Sequence, residues 1–200
     1  MARHTGRPRV KATGQRRSTL LDIARRGPER NARPATPANQ KPATRRMSRA
    51  TPPQLSARLL ARLYTGMPAL LLTVGADGFA HAAYTWAAAP DAQRIRFGAD
   101  RGSVTIANLQ RDGRAALQIV GPADVLFLVK GSVQIVRERI VAAPFPIALV
   151  EMTVSEVRDQ AWPGVTVAPL AYEWPEDQRD AMRAMEQAVY AELREWEGNE

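Results

Sequence analysis

The 200 residues carry 28 Lys and Arg against 20 Asp and Glu, a formal net charge of +8 with a pI near 10.7. Residues 1–46 hold 13 of the basic and 2 of the acidic residues (net +11), whereas residues 47–200 hold 15 and 18 (net −3), so the basicity that would point to nucleic acid or a membrane surface is confined to one end. The absence of cysteine excludes disulfides, thiolate nucleophiles and Cys-based metal sites; two histidines, His4 and His81, leave no zinc ligand set, and no run approaches the ~18 apolar residues of a membrane-spanning helix.

Residues 1–46 are rich in Arg, Pro, Thr and Ala, contain no aromatic side chain and offer one short apolar patch at Leu20, Leu21 and Ile23. Such a segment cannot bury enough to offset the entropy of ordering, and a disordered basic tail is expected. It is the one segment with the charge to contact nucleic acid. The pair Arg16-Arg17 is not followed by the roughly 7–15 apolar residues of an export signal, because Asp22, Arg25 and Arg26 interrupt them; a cytoplasmic location is expected. Globular composition begins at Met47, so a chain starting there is expected to be functional without the tail. Residues 47–200 suit a single domain.

Gln54 to Tyr64 places Leu55, Leu59, Leu60 and Leu63 at helical spacing after Pro52-Pro53, with Gly66 and Pro68 as terminators. Ala69–Val74 and Phe79–Ala87 are β-prone runs joined by Ala76-Asp77-Gly78, and Asp-Gly supplies the positive φ of a tight hairpin. Arg94–Gly98 predicts a third strand. Ser103–Arg111 predicts a short helix capped by the Ser103 hydroxyl, and Arg114–Val120 a fourth strand after Asp112-Gly113. Val125–Arg137 alternates, with Gly131 marking a bulge or a close backbone approach. Leu149–Val157 puts Val150, Met152 and Val154 on one face and Glu151, Thr153 and Ser155 on the other. Pro175 opens a final amphipathic helix with a stripe of Met182, Met185, Val189, Leu193 and Trp196. The fold class is mainly β with flanking helices: six short strands argue for a closed antiparallel barrel rather than a doubly wound sheet.

Taken singly, the polar and aromatic residues have modest readings. Gly98–Gly102 lacks the Gly-Lys-Ser/Thr ending of a nucleotide loop and the Gly-x-Gly-x-x-Gly of a dinucleotide site, so it reads as a strand-to-helix turn. His81 reads first as a packing or surface residue of its strand. Tyr84 and Trp86 share a strand face and suit either a planar ligand or an apolar interface; Trp174 reads as packing. Glu151 and Glu156 fall on opposite strand faces, so no acid/base pair is visible, and Ser103 and Thr105 have no histidine nearby in sequence to build a hydrolytic triad.

Three stretches, Thr73–His81, Arg101–Arg114 and Leu128–Val133, resemble in order and spacing the pyridoxamine 5′-phosphate oxidase-like family, the FMN-binding split β-barrels, over about Leu55 to Trp174. The resemblance implies a homodimer holding FMN at the subunit interface and an oxidation or reduction of a small substrate. It implies that the isoalloxazine ring lies along the second and third strands, near Ala83 to Trp86 and Phe97 to Ala99, with Tyr84, Thr85, Trp86, Gly98 and Ala99 among its contacts and the phosphate near Arg101, Ser103 and Thr105. The pyridoxamine phosphate oxidases carry basic side chains where this chain has Ala83, Ala88, Val104 and Thr105, and a Tyr-Thr pair where it has Gly98-Ala99. Arg101 or Arg96 is then the candidate replacement cation. The expectation is an FMN-binding flavoprotein acting as a small-substrate oxidoreductase without an assigned catalytic side chain, and the alternative is a split-barrel binding module that has lost the flavin.

Overall fold

In the computed structural model, residues 53–198 are described; the expected disordered tail over residues 1–46 and the start at Met47 lie outside them. The described chain begins with α1 (Ala57–Thr65), whose first turn is capped by the Ser56 hydroxyl accepting from Leu59 N–H. Then follow β1 (Met67–Val74), β2 (Ala80–Ala88), β3 (Arg94–Asp100), α2 (Val104–Asp112), β4 (Arg114–Val120), β5 (Leu126–Arg137), β6 (Ile147–Asp159) and α3 (Arg179–Glu195). The six strands close into an antiparallel barrel in the order β1-β2-β3-β6-β5-β4.

The expected hairpin joins β1 to β2 through eight paired positions from Met67↔Ala87 to Val74↔Ala80. Gly78 takes φ +83° at its tip, a conformation costly for side chains with a Cβ. By contrast β2 and β3 pair at two positions only, Ala87↔Phe97 and Ala88↔Arg96. Beyond Ala87 toward its N-terminus, β2 leaves β3, and the barrel wall splits. The Thr85 hydroxyl spans the opening, donating to the Gly98 carbonyl at 2.6 Å. That side chain supplies the partner a buried carbonyl requires where the backbone ladder has ended.

The interior is filled from the alternating inward positions: Leu71 of β1, Phe97 of β3, Leu117 and Ile119 of β4, Phe127 and Val129 of β5, and Val150 and Met152 of β6. Leu59 and Leu63 of α1 join this core beside the β2–β3 connection, and Ile106 and Leu109 of α2 join it beyond the end of β3. The two helices therefore stopper opposite ends of the barrel. A second core lies outside the wall, where Val189, Tyr190 and Leu193 of α3 pack on Ala88, Ile140, Ile147 and Leu149.

That outer core explains two departures from the sequence pattern. β6 is longer than Leu149–Val157, and it is buried on both faces from Ile147 to Met152 because the barrel interior lies on one side and the α3 layer on the other. Glu151, expected on a polar face, is buried. It receives the equally buried Arg96 at 2.8 Å. The Arg96 guanidinium also donates to the carbonyls of Leu193 and Arg194 at 3.2 and 3.4 Å and lies over the Trp196 ring. It thus satisfies carbonyls at the negative end of α3. The final helix begins at Arg179, Pro175 to Gln178 being a turn closed by Gln178 N–H to the Pro175 carbonyl at 3.0 Å.

Among the described residues no helix is long and apolar enough to cross a membrane. The Gly131 bulge is as expected: the β5–β6 register shifts between Lys130 and Gly131, and a Cβ on Gly131 would lie 2.2 Å from the Thr153 carbonyl oxygen.

Three substitutions test these constraints by urea denaturation. Gly131→Ala forces backbone apart and is expected to cost about 2–3 kcal/mol. Thr85→Val keeps the shape but strands the Gly98 carbonyl, for about 1–2 kcal/mol. Glu151→Leu leaves Arg96 buried without its carboxylate and is expected to cost about 3–5 kcal/mol, with Arg96→Met/Glu151→Leu together costing less than the single change.

Candidate functional site

Where β2 and β3 part, a cavity of about 840 Å³ opens. β2 contributes His81 and Ala83 to Trp86, β3 contributes Gly98 to Asp100, and the first turn of α2 contributes Ser103 to Thr105. The remaining wall comes from Leu71 of β1, from Phe145 to Ile147 ahead of β6, and from Tyr172 in the segment leading to α3.

Seven of the eight residues expected to hold the cofactor line this one space: Tyr84, Thr85, Trp86, Gly98, Ala99, Ser103 and Thr105. Arg101 is the exception. It is absent from the lining, and its guanidinium turns to Glu138 at 3.3 Å, because the residue after Asp100 has already left the strand for the turn into α2. Arg96, the other candidate cation, is consumed by Glu151 and the end of α3. Among the described residues no Lys or Arg lines the cavity.

The α2 end of the cavity is a donor site. The Ser103 hydroxyl accepts from Ile106 N–H at 3.3 Å, fulfilling the expected cap. The first-turn N–H groups of Val104 and Thr105 have no acceptor within the helix, and the helix dipole places positive potential there. Thr105 Oγ1 and His81 Nε2 lie 3.1 Å apart, so the histidine that sequence reading treated as packing borders the cavity and bonds the start of α2. The helix is held by a second contact, Asn108 Nδ2 donating to Thr73 Oγ1 at 3.0 Å. Thr73 and His81 are cross-strand partners in the β1–β2 hairpin, so both contacts fix α2 on one hairpin. Strand alternation could have shown that His81, Ala83 and Thr85 share a face; nothing local marks Thr105 as the partner.

The other end is aromatic. Tyr84 and Tyr172 meet edge to face, with centroids 6.5 Å apart and planes at 83°, and Trp174 packs on Tyr172 in the same manner at 5.5 Å. Trp86 Nε1 donates to Glu186 Oε1 of α3 at 3.2 Å and to the Tyr172 hydroxyl, which itself donates to Glu186. Burial pushes the Glu186 carboxyl above its ordinary value, partly offset by the Trp86 hydrogen bond. Beneath it, burial first and then the Glu186 charge push Tyr190 upward, keeping its phenol neutral. Tyr172 and Glu186 were missed in the sequence because one lies in an irregular segment and the other within an amphipathic helix of ordinary pattern.

Ring-sized space, small residues at Gly98 and Ala99 and hydrogen-bond donors at a helix start suit a planar heterocycle bearing an anionic tail. The donors at the tail end are neutral, which suits an anion less firmly than a guanidinium would.

Among solved structures the chain is similar to an F420 reductase (14% identity, covering 50% of this chain and 95% of that one, TM-score 0.43). It is also similar to HupZ of Group A Streptococcus (13%, 57% and 99%, 0.46) and to a conserved hypothetical protein of Mycobacterium tuberculosis (18%, 61% and 93%, 0.43). No curated protein matches the sequence. The family model described as pyridoxamine 5′-phosphate oxidase matches residues 61–161, from the middle of α1 to just past β6, and the chain belongs to that family.

Proposed function

We propose that the protein is a flavoprotein that binds FMN in the β2–β3 split and oxidises or reduces a small substrate there. The observation that carries this reading is the convergence of Tyr84, Thr85, Trp86, Gly98, Ala99, Ser103 and Thr105 on one cavity of a size that suits a small cofactor, in a chain of this family. The isoalloxazine would lie against Thr85 and the Gly98-Ala99 floor with the ring faces of Tyr84 and Trp86 left beside it, and the phosphate at Ser103, Thr105 and the α2 amides. When bound, the flavin supplies two-electron chemistry. The protein's part is to orient the ring and exclude water, and His81, 3.1 Å from Thr105, is a hydrogen-bonding side chain at the phosphate end.

A homodimer belongs to the same proposal. Tyr84 and Val104 line the cavity yet are 60% and 59% exposed, so the mouth lacks a wall that a second copy would supply. Large apolar side chains exposed around a ligand site mark an interaction surface. A second reading, a split barrel without flavin, draws support from the absence of Lys and Arg among the described residues of the lining.

The deciding experiment is the visible spectrum of the purified full chain and its titration with FMN, read as quenching of flavin fluorescence. Saturable quenching is expected; a colourless protein that leaves FMN fluorescence unchanged sinks the flavin reading in favour of the second. Ser103→Ala is expected to weaken FMN about tenfold, from one lost hydrogen bond to a charged group, and Ser103→Asp about a hundredfold or more by placing a carboxylate against the phosphate. Val104→Glu puts a charge at the mouth without harming the helix start; it is expected to convert a dimer to monomer in light scattering and to weaken FMN in parallel.

A further inference from the structure

The aromatic end of the cavity is built differently from the α2 end. On β2, Trp86 lies five residues beyond His81, roughly 16 Å at the rise of a strand, so the two ends are far enough apart to hold different groups. At the aromatic end the polar tips of Trp86 and Tyr172 are already used: both donate to Glu186, and Trp86 also to Tyr172. These bonds fix the two side chains and leave ring surface as their contribution to a ligand. Tyr84 stands perpendicular to Tyr172 across the corner.

Two carboxylates stand at this corner. Asp100 lines the cavity; continuing the β2–β3 register would set it opposite Tyr84, at the point where the strands have separated. Glu186 lies behind Tyr172 and Trp86. Among the described residues no Lys or Arg lines the space, and Arg101, next in sequence to Asp100, is paired with Glu138. Aromatic faces carry negative electrostatic potential, and a cation over Trp or Tyr gains about 0.5–2 kcal/mol. Perpendicular rings backed by carboxylates offer little to an anion.

We propose that Tyr84, Trp86 and Tyr172 form a subsite for an organic cation, a protonated amine or quaternary ammonium group, and that the substrate handled beside the cofactor carries that group. The second half of this statement rests on the flavin reading above; the first half does not.

The test is calorimetric titration of the full chain, both FMN-free and saturated with FMN, using choline as the cationic probe and 3,3-dimethylbutan-1-ol as its uncharged isostere. Choline is expected to bind both forms, with the isostere at least tenfold weaker. Tyr172→Leu and Tyr84→Leu alter exposed side chains, so the fold should survive, as a thermal melt would verify; each is expected to weaken choline about fivefold. Glu186→Gln, which keeps an acceptor while removing the charge, is expected to weaken choline and leave the isostere unchanged. Equal binding of probe and isostere, no choline binding in either form, or tyrosine variants that bind choline as the native chain does would overturn the cation subsite. Choline displaced by FMN would overturn its place beside the cofactor. Failure of FMN to bind is read separately from flavin fluorescence, and with choline binding intact it removes the flavin reading alone.

Discussion

The constraint on which the site depends is the early end of the β2–β3 ladder. Two pairs hold these strands together, Ala87↔Phe97 and Ala88↔Arg96, while each strand remains fully engaged on its other side, β2 with β1 and β3 with β6. The opening is therefore a gap between two well-supported edges. Thr85 spans it with a hydroxyl aimed at the Gly98 carbonyl, which explains how a buried backbone acceptor survives the loss of its strand partner. The cavity inherits its shape from that divergence, with β2 as one wall, the end of β3 as floor and the start of α2 as one end.

The two ends of the cavity differ in chemistry. At one stand a helix start, the hydroxyls of Ser103 and Thr105 and the His81 ring; at the other stand aromatic rings, with Glu186 hydrogen-bonded behind them. The arginines that could have altered this balance are held elsewhere by geometry. Arg96 lies further back along β3, where it is buried against Glu151 and the α3 carbonyls and desolvation makes that pairing obligatory. Arg101 follows the chain out of the strand toward Glu138. Among the described residues no Lys or Arg lines the cavity, and the donors they offer at the start of α2 are the Ser103 and Thr105 hydroxyls and the backbone amides.

The C-terminal helix serves both the fold and the site. Val189, Tyr190 and Leu193 bury the outer face of the barrel wall, Arg96 ties down its last carbonyls, and Glu192 accepts from the backbone of Val141 and Ala142 at 2.8 Å each, near the segment that supplies Phe145 to the cavity. One turn and a half earlier, Glu186 gathers Trp86 and Tyr172. The aromatic wall consequently depends on α3 being docked, so a substitution in the outer core should disturb ligand contacts without touching the cavity.

Local sequence determined the elements. Alternation in β4 and β5, the Asp77-Gly78 turn, the Ser103 cap and the Gly131 bulge each follow from forces acting over a few residues, and they were legible for that reason; so was the gathering of β2, β3 and α2 around a common space, through the family's motif order. What only the tertiary structure decided were the partners at long range. Whether Arg96 faced the cavity or α3, whether His81 met Thr105, whether Glu151 was solvated or buried, and whether Tyr172 reached the site depended on what covered each strand face. A period-two pattern says which residues share a face, while the burial of that face is set by elements distant in sequence, here α3 on the outside of β6 and the divergence of β2 from β3.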